Sequence, residues 1–209
     1  MSKCISSKES QRYTRHLQKQ GVSIHDSSST LIKAFTPWER LGARSRRQQT
    51  QDSIANIAVQ GLLVALADAP FPRFYPLNLQ VSEACDKHAM MLVLDRQGPH
   101  YVLELFDSNG TLTDKDWDDF ATKLSLRVRE LLSLQLGEPV EFVEVREGYE
   151  SVNNYGTGNC DALCLYYVAV RNTVADHEAA NRIVGDKVDG ARTLKINDMV
   201  RKRKSPEGI

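Results

Sequence analysis

An almost wholly apolar run lies near the C-terminal end of the chain and follows a loop rich in glycine and asparagine. Between residues 160 and 170 the only charged position is Asp161. The run spans about three helical turns and has no polar face, which predicts a helix buried on all sides. Cys160 begins this helix, where unpaired N–H groups and the helix dipole stabilise a thiolate. From this stretch alone, Cys160 is either a nucleophile or a small residue that fills the core.

Helical spacing of apolar positions predicts four further helices. The first covers about residues 50–68 and presents one apolar face: Ile54, Ile57, Ala58, Gly61, Leu62, Ala65, Leu66. The second begins at Thr113, where Asp116 completes a capping box, and ends at Gly137 and Pro139. Two weaker helical patterns cover roughly residues 175–184 and 192–201.

Strand patterns fill the middle of the chain. Residues 75–82 alternate in part, residues 89–94 form a continuous apolar run that suits a strand buried on both faces, and residues 101–106 and 140–145 complete the set. The turn over residues 95–100 contains Gly98 and Pro99, so its flanking strands predict an antiparallel hairpin. A small mixed or antiparallel sheet with segregated helices makes the fold class α+β.

The first 35 residues are rich in Ser, Gln, Lys and Arg and show little apolar periodicity. We therefore expect a basic flexible N-terminal arm over residues 1–35, an α+β domain over residues 36–200, and a basic C-terminal tail over residues 201–209. Residues 35–40 are expected to begin the structured part, with Thr36 or Pro37 opening a short helix that Trp38 anchors. The arm could make a weak nucleic-acid contact, although a solvated tail is the simpler interpretation.

The overall composition changes this picture little. The chain has 209 residues, a formal net charge of zero and four cysteines, a number too small for a disulfide framework in a chain of this length. No apolar run reaches the ~20 residues that a membrane span needs, and the polar start does not look like a signal peptide. We expect an intracellular protein of a reducing compartment that has no membrane partner.

The hairpin brings a histidine and a carboxylate together. If its turn centres near residues 97–98, His88 lies directly opposite Asp107, within reach of an imidazole–carboxylate hydrogen bond. Such a carboxylate would fix the imidazole tautomer and stabilise its protonated form. Asp95 is the other acid that could orient His88, although the register favours Asp107. His16, His25, His100 and His177 are weaker candidates.

Three stretches of the sequence resemble a known group of enzymes. The sequence from His88 to Asp95, the stretch Leu103-Glu-Leu-Phe-Asp-Ser-Asn-Gly110 and the stretch Gly158-Asn-Cys-Asp-Ala-Leu-Cys-Leu-Tyr-Tyr are similar to the core of the adenovirus-protease and SUMO-protease group of cysteine proteases. The similarity covers roughly residues 75–175. Within the group, the predicted proteases of large DNA viruses are most similar in their motifs, with Glu104, Phe106, Asp107 and Gly110 at matching positions.

The resemblance implies a papain-like fold and a catalytic triad. Cys160 takes the place of the nucleophile, His88 that of the general base and Asp107 that of the residue orienting it. Asn154 stands where the group has an oxyanion-hole Gln, and Asn153 and Gly158 belong to the same substrate-binding loop. Two other positions depart from the pattern, because Ala89 replaces a Trp and Asp161 replaces a Gly.

The implied activity is cysteine-type hydrolysis of a peptide or isopeptide bond without a metal or organic cofactor. The implied partner is a protein substrate, either a viral structural polyprotein or a ubiquitin-like conjugate. Three alternatives stay open: an acyltransferase with the same core, a catalytically inactive relative that serves as an interaction module, and a structural zinc site. The zinc ligands would be Cys85, His88, Cys160 and Cys164, whose spacings suit a tetrahedral site.

Overall fold

A computed structural model describes residues 6–26, 31–33, 43–80, 88–108, 115–145, 160–185 and 190–204. Its helices are α1 (Ser7–Lys19), α2 (Ala43–Leu63), α3 (Lys115–Leu136), α4 (Cys160–Arg171), α5 (His177–Gly185) and α6 (Gly190–Lys202). Its strands are β1 (Ser23–Ile24), β2 (Leu31–Lys33), β3 (Arg73–Gln80), β4 (His88–Gln97), β5 (His100–Phe106) and β6 (Val140–Val145). The predicted α+β fold is confirmed. No helix among these residues is long and apolar enough to span a bilayer.

One mixed sheet forms the centre, with strand order β1-β3-β4-β5-β6 and β2 paired to β3. Strand β4 is antiparallel to both of its neighbours, β3 and β5, whereas β1 and β2 run parallel to β3, and β6 runs parallel to β5. The amino end of β4 therefore meets the carboxyl ends of β3, β5 and β6 at one edge of the sheet. Polar groups from all four strands can converge there.

Helices cover both faces of the sheet. The side chains of β4 alternate between two cores, so Met90, Leu92 and Leu94 pack with α2 and α3, whereas Ala89, Met91 and Val93 pack with α4. Helices α1, α5 and α6 complete the second core. Helix α4 is the centre of that layer, and all of its residues except Asp161 are buried. The prediction that it has no polar face is confirmed.

The expected loose arm over residues 1–35 is wrong for its described part. Residues 7–19 form α1, whose Tyr13 is completely buried and whose Leu17 is 3% exposed. A capping box between Ser6 and Glu9 begins the helix. Only two large apolar residues face the core, beside the small residues Ser10 and Thr14, and this narrow stripe explains why the periodicity looked weak.

The other predicted elements differ in their limits. Helix α2 ends at Leu63, and Ile57 on its predicted apolar face is 55% exposed, so the buried stripe runs through Ala55 and Val59 instead. Gly137 adopts a positive φ of 71° directly after α3, as expected of a residue that ends a helix. The predicted capping box at Thr113 and the expected helix at residues 36–38 lie outside the described residues.

Candidate active site

The three residues of the expected triad lie at one edge of the sheet. His88 is the first residue of β4, Asp107 directly follows β5, and Cys160 is the first residue of α4. Antiparallel pairing brings the start of β4 to the end of β5. Helix α4 packs on the face of β4 that carries Ala89 and Met91, and its first turn reaches the start of that strand, where the Ala89 amide donates a hydrogen bond to Cys160 Sγ at 3.4 Å.

His88 and Asp107 form a buried ion pair, with His88 Nε2 2.7 Å from Asp107 Oδ1. His88 is 8% exposed and Asp107 is fully buried. The contact is not the directly opposed pair that the sequence predicted, because Met91 pairs with Phe106 and the turn centres on Gly98 and Pro99. A shift of two residues leaves both side chains on the same face of the sheet, so they meet diagonally.

The imidazole is a strong base in this environment. Burial alone would lower the pKa of His88, but hydrogen bonds with Asp107 and Cys160 and the negative charges of both groups outweigh burial and raise that pKa to about 10. Because Nε2 is held by Asp107, Nδ1 is the ring nitrogen left for the Cys160 thiol. His88 is therefore protonated at neutral pH, which places a cation beside Cys160.

Cys160 is held by its position at the start of a helix and by a neighbouring strand. It is 7% exposed. The Ala89 N–H points at its sulfur, and the helix dipole adds a partial positive charge at the same place. One turn further along α4, the Cys164 thiol donates to the Ala89 carbonyl at 3.4 Å. A single strand residue thus contacts both thiols, through its amide and through its carbonyl.

Asp95 does not take part in this site. It lies two positions from the end of β4, at the opposite edge of the sheet from His88, and its carboxylate forms an ion pair with Arg171. Asn153, Asn154 and Gly158 lie outside the described residues, as does the possible zinc ligand Cys85. Across the described ranges, no group of three metal-ligating side chains is close enough to hold an ion.

Sequence reasoning missed a buried charged cluster at the other end of α4. Arg171 is 1% exposed, and its Nη2 lies 2.8 Å from Glu104 Oε1 while its Nε lies 3.1 Å from the same oxygen. The Tyr167 hydroxyl donates to Glu104 Oε2 at 3.0 Å, and Asp95 contacts the guanidinium from the adjacent strand. Two features of the sequence could have indicated this cluster. They are a glutamate inside the apolar run of β5 and an arginine at the end of an apolar helix.

This cluster fixes α4 on the two strands that carry His88 and Asp107. The Tyr167 ring also stacks on Phe106, the residue before Asp107, with ring centroids 4.1 Å apart. Burial would lower the pKa of Arg171, but the Glu104 and Asp95 carboxylates outweigh burial and raise that pKa further above its ordinary value. The helix that carries Cys160 is therefore anchored at both ends, and its rotation and its height above the sheet are set.

No protein-family model and no curated protein matches the chain. The structure is similar to the crystal structure of the ASFV pS273R protease, with a TM-score of 0.53 and 13% identity over 94% of this chain and 67% of that one. It is also similar to the Chlamydia trachomatis effector protein Cdu1, solved bound to ubiquitin, with a TM-score of 0.56 and 11% identity over 97% of this chain and 93% of that one. The resemblance seen in the sequence is thus confirmed at the level of the fold, and the chain has the α+β fold of this group of cysteine proteases.

Proposed function

We propose that the chain is a cysteine peptidase in which Cys160 is the nucleophile, His88 the acid and base, and Asp107 the residue that orients His88. The observation that carries the proposal is the 2.7 Å ion pair between His88 Nε2 and Asp107 Oδ1 beside a cysteine at a helix N-terminus. A buried imidazole with a raised pKa, a carboxylate behind it and a thiol in front of it are the parts of a nucleophilic dyad with its orienting acid.

The first half of the reaction forms a thioester. The Cys160 thiolate attacks the carbonyl carbon of the scissile bond, and the negative charge moves to the carbonyl oxygen. The backbone N–H of Cys160 at the start of α4 is suited to stabilise that oxyanion, and we assign a second donor to the amide of Asn153 or Asn154, beside Gly158. When the intermediate collapses, the imidazolium of His88 gives its proton to the leaving amine.

The second half releases the acyl group. Neutral His88 takes a proton from a water molecule as the water attacks the thioester carbonyl. Collapse of this intermediate expels the Cys160 thiolate and yields a carboxylic acid, and the imidazolium is restored. Asp107 accepts a hydrogen bond from Nε2 throughout, which keeps Nδ1 directed at the sulfur and stabilises the positive charge each time it forms.

We propose a protein carrying a ubiquitin-like modifier as the substrate class. The support is the similarity to Cdu1, whose structure was solved with ubiquitin. The motif resemblance to proteases of large DNA viruses implies a second substrate class, the structural polyproteins of viruses, and the ASFV pS273R protease has a similar fold. The two classes differ in what they present to Cys160, because the first offers the C-terminal tail of a folded modifier and the second offers an internal peptide bond.

Covalent capture tests the proposal. The native chain is incubated with ubiquitin and with SUMO, each carrying an electrophile in place of its C-terminal carboxylate, and with an electrophilic peptide, and the adduct mass is measured. We expect at least one of these probes to form an adduct of one probe per chain. The adduct should be lost in Cys160→Ala and strongly reduced in His88→Ala. Cys164→Ala is the matched control and should react like the native chain. Labelling at Cys164, or the absence of any adduct, would contradict a peptidase centred on Cys160.

A further inference from the structure

The outward side of α1 is a stripe of cations. Lys8, Arg12, Arg15 and Lys19 follow one another at spacings of four, three and four residues, which places them on one face of the helix. All four side chains are exposed. The opposite face holds the buried residues Ser10, Tyr13, Thr14 and Leu17. Because α1 is fixed to the core by that face, the stripe is rigidly presented to solvent.

The C-terminal end of α6 packs against α1 at Glu9 and Tyr13 and brings further cations to that helix. Arg201 Nε is 3.3 Å from Glu9 Oε1, and the Tyr13 hydroxyl donates to the Lys204 carbonyl at 3.0 Å. These contacts hold the run Arg201-Lys-Arg-Lys204 against α1. We call the four stripe residues together with Lys202, Arg203 and Lys204 the basic surface. All seven side chains are exposed.

Few carboxylates balance the basic surface. Glu9 is engaged by Arg201, Asp198 by Lys202 at 2.7 Å, and Asp26 by Arg15 at 3.6 Å. Among the described residues no carboxylate forms an ion pair with Lys8, Arg12, Lys19, Arg203 or Lys204. The chain as a whole has a formal net charge of zero, so this surplus is local and the rest of the molecule is acidic. A polyanion is therefore attracted to this side of the molecule.

We propose that the basic surface binds the phosphate backbone of a nucleic acid without reading its sequence. The stripe from Lys8 to Lys19 rises about 16 Å along the helix, long enough to contact several phosphates of a nucleic-acid backbone. A lipid surface does not fit, because the apolar face of α1, with Tyr13 and Leu17, is buried in the core and is not free to insert.

The proposal is tested by fluorescence anisotropy with a labelled 20-nucleotide DNA of mixed sequence, as single strand and as duplex, from 50 to 300 mM salt. The test variant carries Lys8→Gln, Arg12→Gln, Arg15→Gln and Lys19→Gln, substitutions that keep helix propensity. The control variant loses the same charge at four exposed cations elsewhere, with Arg96, Lys123, Arg129 and Arg182 replaced by Gln.

We expect the native chain and the control variant to bind alike, and the stripe variant to bind about tenfold more weakly or worse at 50 mM salt. The slope of log K against log salt should fall by about 3 in the stripe variant, since four phosphate contacts are lost. Equal binding by the stripe and control variants, no binding by the native chain, or tighter binding to polyglutamate or to anionic vesicles than to DNA would overturn the proposal.

A second measurement uses only the native chain and does not depend on how a variant folds. Lysines are acetylated with a water-soluble reagent in the presence and absence of the oligonucleotide, and the sites are mapped by mass spectrometry. Lys8 and Lys19 should be protected by the DNA, whereas the exposed Lys123 on α3 should react equally in both samples. The proposal would also be overturned if the oligonucleotide left the acetylation of Lys8 and Lys19 as unchanged as that of Lys123.

Discussion

Arg171 and Glu104 form a two-point ion pair beneath α4, with Arg171 Nη2 and Nε lying 2.8 Å and 3.1 Å from Glu104 Oε1. Neither side chain is more than 1% exposed. The pair connects the end of the helix that begins at Cys160 with the strand that ends just before Asp107. The geometry of the candidate site therefore depends on charges at the end of α4 opposite to Cys160.

Replacing Arg171 by Met should destabilise the fold by about 3–5 kcal/mol, because the carboxylates of Glu104 and Asp95 then remain buried without a cation. Urea unfolding followed by circular dichroism measures the change. Arg127→Met is the matched control, since Arg127 is 32% exposed and pairs with Asp52 at the surface, and it should cost less than about 1 kcal/mol. Equal costs for the two variants would show that the buried cluster contributes no more than a surface pair.

The stability contributed by His88 should fall as the pH rises. Its pKa is raised from an ordinary value of 6.5 to about 10, so the folded chain binds a proton that the unfolded chain releases between these limits. This contribution is complete below pH 6.5 and is lost through pH 10, with a slope of at most about 1.4 kcal/mol per pH unit. Urea unfolding of the native chain and of His88→Gln from pH 6 to pH 10 should give two curves that converge. Parallel curves would contradict a raised pKa.

Cys160 should react with iodoacetamide quickly at pH 6, where an ordinary thiol, with a pKa of about 8.5, is mostly protonated. The imidazolium of His88 and the Ala89 amide both stabilise the thiolate. The experiment uses a chain in which Cys4, Cys85 and Cys164 are replaced by Ser. His88→Ala in that background should react at least about tenfold more slowly at pH 6 and approach the parent rate above pH 9. If both chains react slowly at pH 6, Cys160 is a core residue rather than a nucleophile.

Gly61→Ala should lower stability although alanine favours helices. A Cβ at this position of α2 would overlap the Cε2 and Cδ2 atoms of Tyr75, which is 3% exposed and stacks on His25. We expect a net loss of about 1–2 kcal/mol, since overpacking costs about 1–3 kcal/mol and alanine returns up to about 1 kcal/mol of helix propensity.

A double-mutant cycle on thermal unfolding separates the overlap at Gly61 from other causes. Replacing Tyr75 by Leu removes the ring, so Gly61→Ala should be neutral or stabilising in that background. If Gly61→Ala costs the same free energy with and without the Tyr75 ring, the overlap is not what constrains this position.

The elements that carry the site could be predicted because each has one dominant pattern. The apolar run after Cys160, the doubly buried β4 and the hairpin around Gly98 are specified by neighbouring residues alone. The His88–Asp107 contact was also predictable, although the expected register was shifted by two residues. A shift of an even number preserves the face of the sheet, so the conclusion did not depend on where the turn was centred.

What the sequence could not show depends on long-range burial. The exposed and buried sides of α1 both contain polar residues, so only the Ser6–Glu9 capping box indicated a helix there. The alternative in which Asp95 orients His88, which the register already disfavoured, is wrong for a related reason. A carboxylate at a strand end is normally solvated, and the partner that buries it, Arg171, is 76 residues away in the sequence. Nothing local distinguishes such an acid from a catalytic one.

The burial of α4 on all sides has a consequence for motion. A helix enclosed by the sheet, α1, α5 and α6 has no exposed side from which it can fray, so its amide hydrogens should exchange with deuterated water only when the whole domain opens. Cys160 begins this helix, and its own N–H, like the others of the first turn, has no acceptor within the helix and is outside the protected set. The proposed nucleophile is therefore attached to the start of a helix that opens only with the whole domain, and adjustments to a substrate must come from the residues around it.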